Sequence, residues 1–185
     1  MKKIIYFLSI FIIILLFSCF GYFFNTKKID FSGQDLSRKE FTGKNFNNCI
    51  FRNTNLNYSI LTDTKLQNAD FTGANLSYAI FKNANLKKSI LKNTDLFSAD
   101  FTDAKLNSIN FSGLDLVNVN FSNADLRNAD FKNADLTSAI FYGANIKNAD
   151  FTGANVELSQ LFNAKYIKGA IMPYGTVYKK STRPH

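Results

Sequence analysis

The side chains that could carry out chemistry in this 185-residue chain are mostly aspartates. Paired carboxylates can act as general acid and base, and carboxylates grouped with histidine can hold a metal ion. The only histidine is His185, however, and the aspartates recur at multiples of five residues: Asp70, Asp100, Asp125, Asp130, Asp135 and Asp150. Such repetition is typical of turns and of a solvated surface. We therefore predict a non-enzyme with no cofactor, no metal site and no small-molecule substrate.

The two cysteines add little to this chemistry. Cys49 occupies a position that otherwise holds small residues, and free cysteine behaves as a small hydrophobe, so we predict a buried, inert thiol. Cys19 lies in an apolar segment, and the two residues provide no disulfide framework.

The elements that must position these side chains follow a period of five. The stretch ADFTGANLSYAIFKNANLKKSIL, residues 69–91, has an apolar residue at every fifth position. Neither a helix nor a strand brings such residues to one face. The register runs from Phe31 to Ile171 over 29 positions, with a smaller residue, often alanine, two places before most of them. We predict a solenoid in which the central and small residues point inward and the other three face water.

The number of sides follows from the order of the central residues. Between Phe101 and Phe151 they alternate between phenylalanine and an aliphatic residue. A three-sided coil would place phenylalanine above leucine on every wall, whereas four sides stack like on like. Coils about 4.8 Å apart allow offset ring stacking. The order therefore predicts two opposite phenylalanine columns, interrupted at Leu61 and Leu91.

The A-(D/N)-(L/F)-x-x units of residues 69–158 resemble the pentapeptide repeat family. The resemblance implies an all-β fold, a right-handed quadrilateral β-helix with four pentapeptides per coil. Together with the composition of the two ends, it predicts four parts of the chain. These are a hydrophobic helix at 1–24, a linker at 25–30, the solenoid at 31–171 and a basic tail at 172–185.

The charge distribution bears on what such a solenoid could bind. The net charge of +8 comes from the two ends, because residues 29–167 contain 14 basic and 14 acidic side chains. The resemblance includes proteins that protect DNA gyrase by imitating DNA, which requires a strongly negative rod. A neutral solenoid disfavours that alternative. The densest basic stretch spreads over three walls, so we expect no nucleic-acid partner; it contains Lys82, Lys87, Lys88 and Lys92.

Departures from the repeat predict local irregularities. Three early corner residues are long and polar, as in a capping coil: Gln34, Lys39 and Lys44. Three consecutive later corners hold larger apolar residues and should swell the coil: Ile109, Leu114 and Val119. The segment GAIMPYGTVY, with Pro173 and Gly175, is expected to close the stack with a turn.

The N-terminal segment has two lysines followed by 21 mostly apolar residues, Ile4 to Phe24. This length can cross a bilayer, and the order also matches a secretory signal. Two interpretations stay open: an uncleaved transmembrane anchor, or a lipoprotein signal in which LFSC, residues 16–19, resembles a lipobox and Cys19 is lipidated. Both attach the solenoid to a membrane, and we expect it on the outer side, in a bacterial envelope.

A partner surface is predicted where isoleucine replaces the usual Asp or Asn before a central residue. This occurs at Ile50, Ile60, Ile80, Ile90 and Ile140. Twenty-residue spacing places Ile60 under Ile80 and Tyr58 under Tyr78, which would form an exposed strip with the composition of an interface core. We predict that this wall contacts a protein partner or a second copy in a homodimer. The alternative is scattered surface hydrophobes without a function.

Overall fold

The structure is a computed structural model, and it describes residues 28–180. Its repeating element is an isolated parallel β-bridge between residues 20 positions apart, beginning with Asp30↔Ile50 and continuing through pairs such as Ile60↔Ile80 and Asp130↔Asp150. One coil therefore contains four pentapeptides, which confirms the four-sided prediction. Within the described residues the only α-helix is α1, Leu158–Leu161.

We number the four faces of the coil by their inward-pointing residues. Face 1 carries Phe31, Phe51, Phe71, Leu91, Phe111, Phe131 and Phe151; face 2 carries Leu36, Leu56, Leu76, Leu96, Leu116 and Leu136; face 3 carries Phe41, Leu61, Phe81, Phe101, Phe121 and Phe141; face 4 carries Phe46, Leu66, Leu86, Leu106, Leu126 and Ile146. All are buried except Phe31, which is half-buried at the start of the stack. Faces 1 and 3 are opposite, so the two predicted phenylalanine columns are confirmed.

The rings in each column stack in parallel and touch the other column edge to face. On face 1 the ring centroids of Phe111 and Phe131 are 5.0 Å apart at 8°, and those of Phe131 and Phe151 are 4.9 Å apart at 3°. Between columns, Phe121 and Phe131 are 5.7 Å apart at 79°. Both geometries are favourable for aromatic pairs, so the core consists of two interlocked ring columns between two aliphatic ones.

Each corner is a tight turn supported by the polar residues of the repeat. The N–H of Ala74 donates to the Phe71 carbonyl at 2.8 Å, and Gly73 between them has φ +71°. Asparagine often occupies this left-handed position, because its side chain tolerates positive φ. The Asp70 carboxylate accepts the N–H of Thr72 at 3.0 Å, and equivalent Asp and Asn residues do the same around the coil. The repeated aspartates thus stabilise turns.

The N-terminal end of the stack differs slightly from the predicted boundary. The Ile50 N–H donates to the Ile29 carbonyl at 2.9 Å, and Asp30 pairs with Ile50, so these two residues belong to the first coil and not to a linker. The polar corner residues of this coil are half-buried or exposed, as expected of a cap: Gln34, Lys39 and Lys44.

The predicted register to Ile171 is wrong after residue 155. Helix α1 and one inserted residue shift the pairing to 21 positions, as in Asn145↔Tyr166. Tyr166, expected to point inward, is 48% exposed, and the neighbouring Ile167 is buried instead. The chain then turns at Pro173–Gly175 and forms the antiparallel bridge Ile171↔Val177, so the predicted closing turn is confirmed.

The predicted N-terminal helix and Cys19 lie outside the described residues, as does His185. Within residues 28–180, no helix has the length and apolar character needed to cross a membrane.

Candidate protein-contact site

The four residues predicted to form a contact surface lie together on the second and third coils of the stack, residues 51–90. We call them the tyrosine wall: Tyr58, Ile60, Tyr78 and Ile80. The rings of Tyr58 and Tyr78 stack with centroids 4.6 Å apart at 4°, and Ile60 pairs with Ile80 in the face 3 ladder. The rings are 45% and 39% exposed. The geometry therefore matches the spacing argument, and contact with a protein stays a prediction.

The isoleucines of the tyrosine wall are less exposed than expected. Ile60 and Ile80 are half-buried, because the residue before each central position forms the bridge between coils and is covered by its neighbours above and below. The exposed apolar area comes mainly from the two tyrosine rings, which stand at the corner between faces 2 and 3.

Two further side chains extend the tyrosine stack in both directions. The guanidinium of Arg38 lies over the Tyr58 ring, 5.0 Å from its centroid, and Phe97 meets Tyr78 edge to face at 5.5 Å and 74°. Cation–π and aromatic pairs of this kind each contribute about 0.5–1.5 kcal/mol. The result is a fixed column of four side chains along one corner of the solenoid, with few rotamers left to restrict when a partner binds.

Carboxylates border the wall along the face 3 ladder. Glu40 pairs with Ile60 and Asp100 pairs with Ile80. Hydrogen bonds from the hydroxyl and N–H of Thr42 hold the pKa of Glu40 below its usual value. Lys82 lies 3.4 Å from Asp100. The apolar patch is thus two coils long and ends in charged groups on both sides.

The remaining aspartates show no arrangement suited to acid–base chemistry. Burial alone would raise the pKa of Asp70, but hydrogen bonds from Thr72 and Arg52 outweigh it and lower that pKa. Asp150 is held in the same way by Thr152 and Lys132. Among residues 28–180, no group of three or more His, Cys, Asp or Glu side chains could hold a metal ion. The lowered pKa values follow from turn and ion-pair contacts.

Cys49 is buried, as predicted, with 3% of its surface exposed. Burial raises the pKa of its thiol to about 11. A thiol with so high a pKa is a poor nucleophile at neutral pH.

Of the three corner residues predicted to swell the coil, Ile109 and Leu114 coincide with a gap in the hydrogen-bond ladder, whereas the prediction is wrong for Val119, whose coil stays bonded to that of Ala99. We call this gap the open junction: residues 88–97 of one coil against 107–117 of the next, across faces 1 and 2. Six inter-coil hydrogen bonds that form at 2.7–3.1 Å one coil earlier and one coil later do not form here. The bonds would join Lys88–Asn107, Leu91–Asn110, Asn93–Ser112, Leu96–Asp115, Asn110–Ser89 and Asp115–Thr94.

Two other observations show the same opening. At other corners, a glycine stacks on the asparagine of the preceding coil so closely that a Cβ atom added to the glycine would clash with the Asn Oδ1. Gly113 stacks in the same way on Asn93, but a Cβ atom added there would have no atom within 4 Å. A cleft of about 590 Å³ lies between the coils, lined by residues that include Lys88, Lys92 and Leu114.

Comparisons with known proteins identify the repeat. A family model described as Pentapeptide repeats matches eight copies within residues 94–133 and 115–153, and one described as Pentapeptide repeat region matches residues 25–101. No curated protein sequence matches the chain.

Several solved structures are similar. HetL, a pentapeptide repeat protein involved in heterocyst differentiation regulation in the cyanobacterium Nostoc sp. strain PCC 7120, is 25% identical with a TM-score of 0.32; the match covers 83% of this chain and 93% of HetL. A pentapeptide repeat protein from the Arabidopsis thaliana thylakoid lumen is 26% identical with a TM-score of 0.27, over 85% and 91% of the two chains. Full-length QnrB1, a plasmid-mediated fluoroquinolone resistance protein, is 21% identical with a TM-score of 0.30, over 71% and 75%.

Proposed function

The chain belongs to the pentapeptide repeat family, and we propose that it is a protein-binding solenoid whose contact surface is the tyrosine wall. Members of this family adopt a right-handed β-helix fold and are generally non-enzymatic structural or binding proteins. The observation that carries the proposal is the parallel stack of Tyr58 and Tyr78, both exposed, beside the paired Ile60 and Ile80.

The composition and rigidity of the wall favour a protein as its partner. Tyrosine and arginine are the residues that most often dominate binding energy at protein interfaces. Here Arg38, Tyr58 and Tyr78 are already fixed by stacking on one another, so binding immobilises few additional rotamers. The wall runs along the open corner between faces 2 and 3, and its isoleucine ladder ends at the carboxylates of Glu40 and Asp100, which suits neither a phosphate backbone nor an enclosed small molecule.

The neutral solenoid argues against a partner that binds DNA-like charge. Carboxylates on the faces are paired with basic side chains at several places, including Arg52–Asp70 at 2.7 Å, Lys82–Asp100 at 3.4 Å and Lys132–Asp150 at 3.2 Å. Such pairs reduce the negative potential that mimicry of DNA needs. We therefore favour protein binding through the tyrosine wall over regulation of a DNA-handling enzyme.

Photo-crosslinking in cells that express the full chain tests the proposal. A benzophenone amino acid in place of Tyr58 or Tyr78 should give a protein adduct, and mass spectrometry of the adduct would show whether the partner is a second copy or another protein. Tyr142 is the matched control, because it is a 62% exposed tyrosine away from the wall. Absence of an adduct at both wall positions, or the same adduct at Tyr142, would contradict the proposal.

A second variant separates specific contact from chance encounter. Replacing Ile60 and Ile80 with Asn restores the usual residue at these positions and should leave the fold intact while abolishing the adduct at Tyr78. Ile140→Asn makes the same change on face 3 but outside the wall and should have no effect. If Ile140→Asn and the double variant behave alike, the wall is not the contact surface.

We also propose that the apolar segment Ile4–Phe24 attaches the solenoid to a membrane on its outer side, in a bacterial envelope. The support is the 21-residue apolar run after two lysines. Cys19→Ala distinguishes the two forms of attachment. A lipoprotein would lose incorporation of a clickable fatty acid and keep its N-terminal segment, whereas a transmembrane anchor would be unlabelled in both forms. Protein that is unlabelled and recovered without membranes would contradict both.

A further inference from the structure

The cause of the open junction can be traced to pairs of corner side chains in successive coils. Ser89 lies opposite Ile109 and Thr94 lies opposite Leu114, so neither pair contains alanine. From Ala69 onward, the other corner pairs along the regular ladder do contain alanine, and their coils are hydrogen-bonded; Ala99 opposite Val119 is one example. Too much volume in a packed corner forces the backbone apart. The coils therefore separate on faces 1 and 2 and stay joined on faces 3 and 4.

The two rims of the open junction carry backbone N–H and C=O groups that make no hydrogen bond between the coils. On the rim of residues 88–97 the N–H groups of four residues lack their inter-coil acceptors, and on the rim of residues 107–117 four carbonyls lack the matching donors. Two bonds of opposite direction, from Asn110 and Asp115, are also missing. Within residues 28–180, only three buried side-chain polar atoms lack a partner, and two of them are here: Ser89 Oγ and Asn107 Oδ1.

The cleft is closed toward the core and carries two lysines at its face 1 end. Leu91 is 2% exposed and Phe111 is fully buried, so the solenoid interior remains sealed. Two lysines, Lys88 and Lys92, line the cleft on face 1, whereas the exposed Asp95 and Asp115 lie on the two rims on face 2. The volume of about 590 Å³ lies in the range of pockets that hold a specific ligand.

We propose that the open junction binds an extended segment of a partner polypeptide that carries a carboxylate at its face 1 end. An extended backbone carries N–H and C=O groups along both of its edges, which are the groups that the two rims need to complete their ladders. Lys88 and Lys92 favour a carboxylate at the face 1 end of that segment, whereas Asp95 and Asp115 favour a neutral residue at its face 2 end. This site differs from the tyrosine wall, because it uses backbone edges on faces 1 and 2 instead of exposed rings; the two regions adjoin at Phe97, which packs against Tyr78.

Amide hydrogen exchange on the full chain in detergent micelles tests whether the junction is open. The N–H groups of Leu91, Asn93 and Leu96 should exchange at least about 100-fold faster than those of Phe71, Gly73 and Leu76, which occupy the same positions one coil earlier. Equal protection of the two sets would overturn the proposal, because no unpaired rim would then exist.

Binding is measured with the labelled decapeptide ADFTNANLTS, adapted from residues 129–138, which pair with residues 109–118 on the hydrogen-bonded side of that coil; asparagine replaces the second aspartate because that position faces Asp95 and Asp115. Fluorescence anisotropy should show binding to the full chain, and the peptide should slow exchange at Leu91, Asn93 and Leu96. The counterpart AKFTNANLTS, and the protein variant Lys88→Glu/Lys92→Glu with the acidic peptide, should each bind at least about tenfold more weakly. No binding of the acidic peptide, or equal binding of both peptides, would overturn the proposal.

The variant Ile109→Ala/Leu114→Ala should close the junction, restore slow exchange at the rim and abolish peptide binding. Val119→Ala, in the same coil at a closed junction, should change neither. If the double variant fails to fold, Ser89→Ala/Thr94→Ala reduces the crowding from the opposite coil with a smaller loss of volume. Peptide binding that survives closure would overturn the proposal. So would protection of the same amides by inorganic phosphate alone, which would mark a simple anion site.

Discussion

Phe121 offers the most direct test of the ring columns, because it contacts four other rings. Its centroid lies 5.7 Å from Phe101 and 5.3 Å from Phe141 in its own column, and 5.6 Å from Phe111 and 5.7 Å from Phe131 in the opposite one. The side chain is fully buried. Replacing it with alanine removes all four contacts and leaves a cavity at the centre of the stack.

The expected cost follows from the buried area. An aromatic side chain buries about 150–250 Å², which at about 25 cal/mol per Å² corresponds to about 4–6 kcal/mol. Alanine keeps a small part of this, so Phe121→Ala should cost about 3–5 kcal/mol. At about 2–4 °C per kcal/mol for a chain of this size, the melting temperature should fall by about 6–20 °C.

Thermal unfolding followed by circular dichroism measures the effect, with two matched variants. Phe121→Leu should cost less than about 1.5 kcal/mol, because it nearly conserves volume and Leu61 already occupies the same column. Tyr142→Ala, at a 62% exposed ring, should stay within about 0.5 kcal/mol. If Phe121→Ala and Tyr142→Ala have the same melting temperature, the ring columns do not hold the solenoid together and the reasoning is refuted.

Two further predictions concern charge and register. Hydrogen bonds and Arg52 lower the pKa of Asp70 below the unfolded value of about 3.9, so its contribution to stability is present above that pH and is lost as the pH falls through the folded pKa. Asp70→Asn should therefore lose less stability than the wild type between about pH 5 and pH 2; parallel melting curves would contradict this. Deleting residues 121–140 removes one coil and keeps every column, whereas deleting residues 121–125 places phenylalanine over leucine in all later coils. The shorter deletion should lower the melting temperature more, and the reverse order would contradict the four-sided stack.

The five-residue period predicted most of the core because it acts through geometry that repeats without change. Once one side holds five residues and one coil holds four sides, the inward position of Phe71 also fixes that of Phe151. The stacking of Tyr58 on Tyr78 followed from the same arithmetic. The exposure of Ile60 and Ile80 was harder to predict. These bridge residues are covered by neighbouring coils, so only the tyrosine rings at the corner are well exposed.

The C-terminal departure was hidden because apolar residues happen to keep the period. Val156 and Tyr166 fit the spacing, yet the chain forms α1 between them. The signal lay in Glu157 and Gln160, which form a reciprocal capping box. Gln160 also donates to the carbonyls of Leu136 and Ala139 at 3.0 and 2.7 Å. Its side chain therefore supplies the Ala139 carbonyl with the bond that the backbone N–H of residue 160 would have made in a regular coil.

The open junction shows why single positions were not enough to predict the site. Ile109 and Leu114 are larger than alanine, and that alone predicts swelling in both directions along the stack. The structure opens only toward Ser89 and Thr94, and the coil on the other side stays hydrogen-bonded, because Ala129 and Ala134 leave room there. Val119 is also larger than alanine, but it stacks on Ala99 and the two coils are hydrogen-bonded there. Between residues 69 and 154 the coils separate where two adjacent corner pairs lack alanine. The first coil differs, because Gln34, Lys39 and Lys44 stay at least partly exposed and their coils are hydrogen-bonded although Thr54, Ser59 and Thr64 opposite them are not alanine. Within residues 69–154, two adjacent pairs without alanine therefore coincide with an exposed backbone edge in the middle of the stack.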